Sequence, residues 1–225
     1  MKKWLTLICK AIVFLASTTG IVLSLSNIKT YIGGVRGLLY FTNQSNIWIG
    51  VTCLIGIVYI ILEEKRKQEL VKPWMYIIKL MFTVAITLTG CVYCFLLAPV
   101  MEGNPWDITS VLTHLIVPVF SIVDFFIYDV HFPYKYKHSF LVLIPPFYYL
   151  IFASIGFVLN WDFGLGVNYP YFFLDWGAPV GVFGISKDLP HYIGTFYWLI
   201  IILFIVLGVG ILYVFVSKKS IKNRK

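Results

Sequence analysis

Thr42, Asn43, Gln44, Ser45 and Asn46 form an unbroken run of hydrogen-bonding side chains, and His114, Ser121 and Asp124 recur on one helical face further along the chain. A neutral imidazole beside a hydroxyl is a set-up for nucleophilic catalysis. The imidazole takes the hydroxyl proton, while amides such as those of Asn43 or Asn46 hold the oxyanion that develops. In this reading Thr42 is the nucleophile, His114 the general base, and Ser45 belongs to the same pocket. The competing reading is structural: His114 hydrogen-bonds to a Ser, Thr or Asn of a neighbouring helix. No Gly-x-Ser-x-Gly elbow is present to decide between them.

The elements that position these groups are membrane spans. Of the 225 residues, 60% are hydrophobic and only 12% charged. Six apolar stretches, at about 4–26, 38–62, 74–98, 108–128, 139–159 and 195–216, are long enough to cross roughly 30 Å of hydrocarbon. The chain is predicted to be an all-α polytopic membrane protein, one six-helix domain over 1–225. Basic residues mark the cytoplasmic side. Lys2, Lys3, Lys65, Arg66, Lys67, Lys72, Lys135, Lys137, Lys218, Lys219, Lys222, Arg224 and Lys225 flank one side, against Lys29, Arg36 and Lys187 on the other. This bias places both termini inside, and the first span reads as an uncleaved signal anchor. The net charge of +8 is thereby a topology signal and an anionic-lipid contact, and nucleic acid is excluded as a partner.

With that orientation Thr42 lies roughly 6 Å and His114 roughly 9 Å below the outer boundary, so the two depths match. Pro118, one turn below His114, is expected to kink the fourth span and free a carbonyl. Near the inner face Lys79 and Asp124 also match in depth, at roughly 8 and 6 Å. They read as an ion pair or hydrogen bond, or as a proton or ion relay; Lys79 alone has the further option of snorkelling to the interface.

Cys91 and Cys94 form a C-x-x-C, which raises thiol redox chemistry. Cys9 and Cys53 are placed where neither serves as an exchange partner, and all four otherwise read as small apolar packing residues. The long external connection 160–194 is a lid or binding element, or else a re-entrant or interfacial segment. Its Trp161, Tyr169, Tyr171, Phe172, Phe173 and Trp176 suit an interfacial belt. Asp162, Asp175, Asp188 and His191 have no ligand spacing, so they read as water-facing and no metal or cofactor is expected.

The stretch Gly33-Gly34-Val35-Arg36-Gly37-Leu38-Leu39-Tyr40-Phe41-Thr42-Asn43-Gln44-Ser45-Asn46, with His114 and Pro118, resembles the androgen-induced-gene and androgen-dependent TFPI-regulating family. Tyr169-Pro170-Tyr171-Phe172-Phe173-Leu174-Asp175 looks like the signature of its bacterial integral-membrane relatives. In the animal members a Thr at the head of the second span and a later His carry hydrolysis of fatty acid esters of hydroxy fatty acids. The resemblance puts those roles on Thr42 and His114.

The expected function is hydrolysis of a lipid-like ester in a bacterial cytoplasmic membrane, in a pocket beneath a lid that includes Tyr169, Tyr171 and Asp175. Arg36 is a candidate to hold a substrate carboxylate, or equally a phospholipid headgroup. The rival is a non-enzymatic small-molecule-binding protein, such as the substrate-binding subunit of a transporter. Expected partners are membrane lipids and the lipid-like substrate.

Overall fold

A polypeptide that keeps its backbone in hydrocarbon must satisfy every peptide group internally, and the helix does so within one segment. The computed structural model describes residues 2–26, 34–101, 103–164, 166–189 and 192–223. It contains six helices long and apolar enough to span a membrane: α1 (Lys3–Ser26), α2 (Phe41–Arg66), α3 (Pro73–Val100), α4 (Ile108–His131), α5 (His138–Val158) and α6 (Thr195–Lys222). Among the described residues there is no strand, only the isolated bridges Gly164 to Val167 and Ile185 to Ile193. The chain is an all-α polytopic membrane protein. The predicted spans agree within a few residues, the largest differences being inner ends of α2 and α6 that run on to Arg66 and Lys222.

Local sequence explains where the helices start and bend. Pro73 opens α3 at a position where its missing N–H has no partner to lose. Asp107 caps α4, its carboxylate accepting from the Ser110 N–H at 2.6 Å. Pro118 cannot donate to the carbonyl of His114. The ladder is remade through a π turn over Leu112–Ile116, closed by the Val117 N–H on the Leu112 carbonyl. A second π turn, Tyr93–Leu97, leads α3 into a short 3-10 segment over Ala98–Val100, where Pro99 stands. α5 breaks at Val142–Leu143, ahead of Pro145 and Pro146.

α3 is the central helix: half of its most apolar stretch is buried, against 28–39% for the others. On one side Val13, Ile49, Cys53, Ile86 and Val117 knit it to α1, α2 and α4. On the other, Leu80, Val84, Phe125, Tyr149, Val206 and Tyr213 join it to α4, α5 and α6.

The 160–194 connection divides its apolar side chains between the bundle and the surface, with Phe183, Ile185 and Tyr192 exposed. It folds onto the outer end of the bundle, with Phe163, Phe173, Leu174, Ala178 and Val180 buried. Tyr171 and Phe173 stack face to face at 5.1 Å, and Phe173 enters the core. Trp161 meets Phe152 of α5 edge-on. Aromatic area goes to packing on the helices because their outer ends leave an apolar surface that water would otherwise cover.

Candidate functional site

The site forms where α2 begins. The first N–H groups of a helix have no carbonyl one turn earlier, so they point free toward whatever faces the helix end. Here the Thr42 N–H meets the Tyr171 hydroxyl at 3.4 Å, and Thr42 Oγ1 lies 3.2 Å from His114 Nε2. On the far side of the imidazole, Nδ1 is 3.2 Å from the Ser110 carbonyl and 3.1 Å from Thr113 Oγ1. The carbonyl only accepts, and the Thr113 proton already goes to the Thr109 carbonyl at 2.9 Å. By its partners the proton sits on Nδ1, which leaves the Nε2 lone pair facing the Thr42 hydroxyl.

The imidazole is also held flat. Tyr93 stacks on it with centroids 3.7 Å apart and planes 10° apart, and the Tyr93 hydroxyl donates to the Pro105 carbonyl. Both rings come from π turns, one in α3 and one in α4. The helices approach closely at that level because residue 90 is glycine: a Cβ there would lie 3.1 Å from the His114 carbonyl oxygen and from Pro118 Cβ.

The amides of the polar run do other work than the oxyanion role expected of them. Asn43 Nδ2 donates to Ser24 Oγ at 3.0 Å and the Gly37 carbonyl at 2.8 Å. Asn46 Nδ2 donates to the carbonyls of Thr42 at 2.8 Å and Thr113 at 3.2 Å. Ser45 Oγ sits 3.0 Å from the Thr42 carbonyl and 2.8 Å from Thr89 Oγ1. Buried amides pair with the nearest carbonyls, since an unpaired donor there costs about 1–3 kcal/mol. The result is a brace: Ser45 and Asn46 fix the backbone of Thr42, and Asn43 ties α2 to α1. Beside Thr42 the Tyr171 hydroxyl accepts the Thr42 N–H and keeps its own proton to give; burial pushes its pKa up, so it stays a neutral donor.

Beside Thr42 opens a narrow cleft between α2, α3, α5, α6 and the loop. Its walls are apolar, including Phe41, Leu88, Leu150, Leu174, Leu199 and Leu203, and the polar lining residues are Thr42, Thr89, Tyr93, Tyr149 and Tyr171. Tyr149 donates to the Leu39 carbonyl at 2.9 Å and Tyr40 to the Phe163 carbonyl at 2.6 Å, which anchors the α2 entry and the loop to each other.

Arg36, the candidate for a substrate carboxylate, already has one carboxylate partner. It pairs with Asp162 at 2.5 Å, both half-exposed, and so straps the turn before α2 to the loop. Asp175 Oδ1 accepts from the Gly177 N–H at 2.9 Å, and its carbonyl accepts from Thr195 at 2.8 Å, fastening the loop to α6. Tyr169 is half-buried, and that burial raises its phenol pKa. His191 lies outside the described residues, and no group of three or more metal-ligating side chains gathers among those described.

Near the inner face Lys79 pairs with Asp124 at 2.8 Å, so its ammonium does not snorkel. The cluster is larger than that pair. Lys10 reaches Asp124 at 2.6 Å and Asp129 at 3.7 Å, and Thr6 donates to the other oxygen of Asp124. Cys53 is more than filler, its Sγ accepting from Lys79 Nζ at 3.2 Å. Cys91 and Cys94 are free and half-buried. Lys10 and Thr6 escape notice in the sequence because they stand in a run that reads as a signal anchor. Their signal is a lysine inside an apolar segment, one turn from a threonine and at the depth of Asp124. Tyr93 and Ser110 leave no comparable trace, since a stacking ring and a backbone carbonyl carry no motif; Tyr171 is the lid residue that the sequence does single out.

Comparison with protein-family models, curated proteins and solved structures gives no match.

Proposed function

We propose that this protein is an intramembrane hydrolase of lipid-like esters, with Thr42 as nucleophile and His114 as general base. One observation carries the reading: a hydroxyl 3.2 Å from the unprotonated nitrogen of an imidazole whose other nitrogen is held by a carbonyl, at the edge of an apolar cleft. The resemblance to the androgen-induced-gene family points to the same two residues, and on it we place the chain in a bacterial cytoplasmic membrane.

The substrate's hydrocarbon lies in the cleft and its ester carbonyl at Thr42. Thr42 Oγ bonds to the carbonyl carbon as its proton passes to His114 Nε2. The Tyr171 hydroxyl, which accepts from the Thr42 N–H, donates its own proton to the oxyanion. The tetrahedral adduct collapses, the C–O bond to the leaving alcohol breaks, and His114 returns the proton to that oxygen. Water, deprotonated by His114, then attacks the threonyl ester, releasing the carboxylic acid and restoring Thr42. The resting pair is neutral, as an apolar site requires.

The test is labelling of the purified protein in detergent with a long-chain fluorophosphonate. The expected product is one adduct on the peptide containing Thr42, lost in Thr42→Ala and His114→Ala and retained in Thr42→Ser. Undiminished labelling in both alanine variants overturns the assignment. A binding subunit that copurifies with an energising transporter component then becomes the better account.

A further inference from the structure

A second, roomier cleft, of about 440 Å³, opens between α2 and the inner half of α3. Its mouth is apolar, with Val51, Ile55 and Trp74 49%, 43% and 54% exposed on the lipid-facing surface. Its floor carries Lys10, Lys79 and Asp129, all more than nine-tenths buried. Gly56 makes room for this floor: a Cβ there would lie 3.1 Å from Lys10 Cε.

The floor's chemistry narrows what can enter. Lys10 and Lys79 are balanced by Asp124 and Asp129, two charges of each sign. Asp124 lies behind the floor and is satisfied by Thr6, Lys10 and Lys79. Asp129 Oδ2 accepts no hydrogen bond, although Lys10 Nζ is 3.7 Å away. Each ammonium has three protons; one of Lys10 goes to Asp124, and two of Lys79 go to Asp124 and Cys53. The cleft therefore presents an acceptor that lacks a donor beside donors that lack acceptors. A ligand head that completes it supplies both within a few ångströms and brings no net charge, because a fifth charge would stand unbalanced in a low dielectric. A hydroxyl does this, and an alkyl chain suits the apolar mouth.

We propose that this inner cleft binds an uncharged, hydroxyl-bearing, single-chain amphiphile of the monoacylglycerol or long-chain alcohol class. Its hydroxyl donates to Asp129 Oδ2 and accepts from Lys10 or Lys79, while its chain leaves between Val51, Ile55 and Trp74. The site is separate from Thr42 and stands whether or not the outer pair hydrolyses esters.

The test uses radiolabelled 1-O-octadecylglycerol, which has the hydroxyls but no ester to be cleaved, and radiolabelled stearate as the anionic counterpart. Binding to purified full-length protein in detergent is read by scintillation proximity. The ether lipid should saturate at one per chain, with stearate at least tenfold weaker. Asp129→Asn leaves the cluster with one excess positive charge and should invert that preference. Ile55→Trp fills the mouth without touching the charges and should abolish binding of the ether lipid with the melting temperature unchanged. Equal binding of stearate by the unaltered protein, absence of saturable binding, or full binding by Ile55→Trp each overturns the proposal. Should Asp129→Asn fail to fold, the lipid-to-stearate ratio of the unaltered protein and the Ile55→Trp result still decide it.

Discussion

Replacing Asp124 with asparagine should destabilise the protein far more than the loss of one ion pair at a surface, because the cluster it serves is a closed charge balance. Asp124 holds Lys10 at 2.6 Å and Lys79 at 2.8 Å, and it is fully buried. Its neutralisation leaves two ammoniums against Asp129 alone. Removing one partner from a buried pair costs about 3–5 kcal/mol, since the stranded charge keeps its desolvation penalty. Lys79→Met strands a charge of the opposite sign and should cost about the same, on the order of 3–5 kcal/mol. The double variant Asp124→Asn/Lys79→Met leaves Lys10 facing Asp129, which is again balanced. It should be no less stable than either single variant, a coupling of about 3 kcal/mol or more by this count. Equilibrium unfolding of all four proteins in one detergent measures the cycle. Costs that add to within about 0.5 kcal/mol would mean that the groups act independently and that charge balance does not govern this half of the bundle.

Tyr171→Phe removes an oxyanion donor and should slow ester turnover by about 10²-fold with little effect on folding. Because burial raises the Tyr171 pKa above its ordinary value near 10, this donor stays protonated as pH rises to that value, and an alkaline loss of rate should begin later than an exposed tyrosine would give. Gly90→Ala forces the His114 carbonyl or Pro118 to move by a few tenths of an ångström; the fluorophosphonate labelling rate should fall about tenfold while the protein still folds, and an unchanged rate would show that the π turn does not set the imidazole. Asn104→Cys should react with an impermeant maleimide from outside intact cells and Gln68→Cys should not, and the reverse pattern would invert the bundle.

The fold was legible because its signal is coarse: twenty or so apolar residues bounded by charge mean a span whatever the details of packing. The matched depths of Thr42 with His114 and of Lys79 with Asp124 were legible too, from a rise of about 1.5 Å per residue and the orientation. Depth says nothing of azimuth, and the sequence misleads wherever rotation about the helix axis decides a partner. Asn43 and Asn46 share a neighbourhood with Thr42, yet the Asn43 amide turns to Gly37 and Ser24 and the Asn46 amide to the backbone carbonyls of Thr42 and Thr113. Arg36 stands above the cleft, yet Asp162, 126 residues away in sequence, takes its charge. The loop's aromatics have a composition that suits lipid and protein alike, and only the unoccupied outer surface of the bundle draws Tyr171 and Phe173 inward.

The two polar regions meet one constraint in different ways. A membrane interior tolerates charge only when it sums to zero over a short distance. The inner cluster meets this statically, with two ammoniums and two carboxylates within ion-pair reach. In the proposed reaction the outer pair meets it dynamically. At rest Thr42, His114 and Tyr171 are all neutral, and proton transfer to Nε2 creates an imidazolium in the same step that creates the oxyanion, so the site never carries net charge. Serving this, the Ser110 carbonyl on Nδ1 stabilises the imidazolium from one side while the Tyr171 hydroxyl meets the oxyanion from the other. A carboxylate in place of the Ser110 carbonyl would give the resting site a standing negative charge. A neutral third member suits an apolar cleft better, and Asp124 lies on α4 ten residues below His114, where two lysines await it.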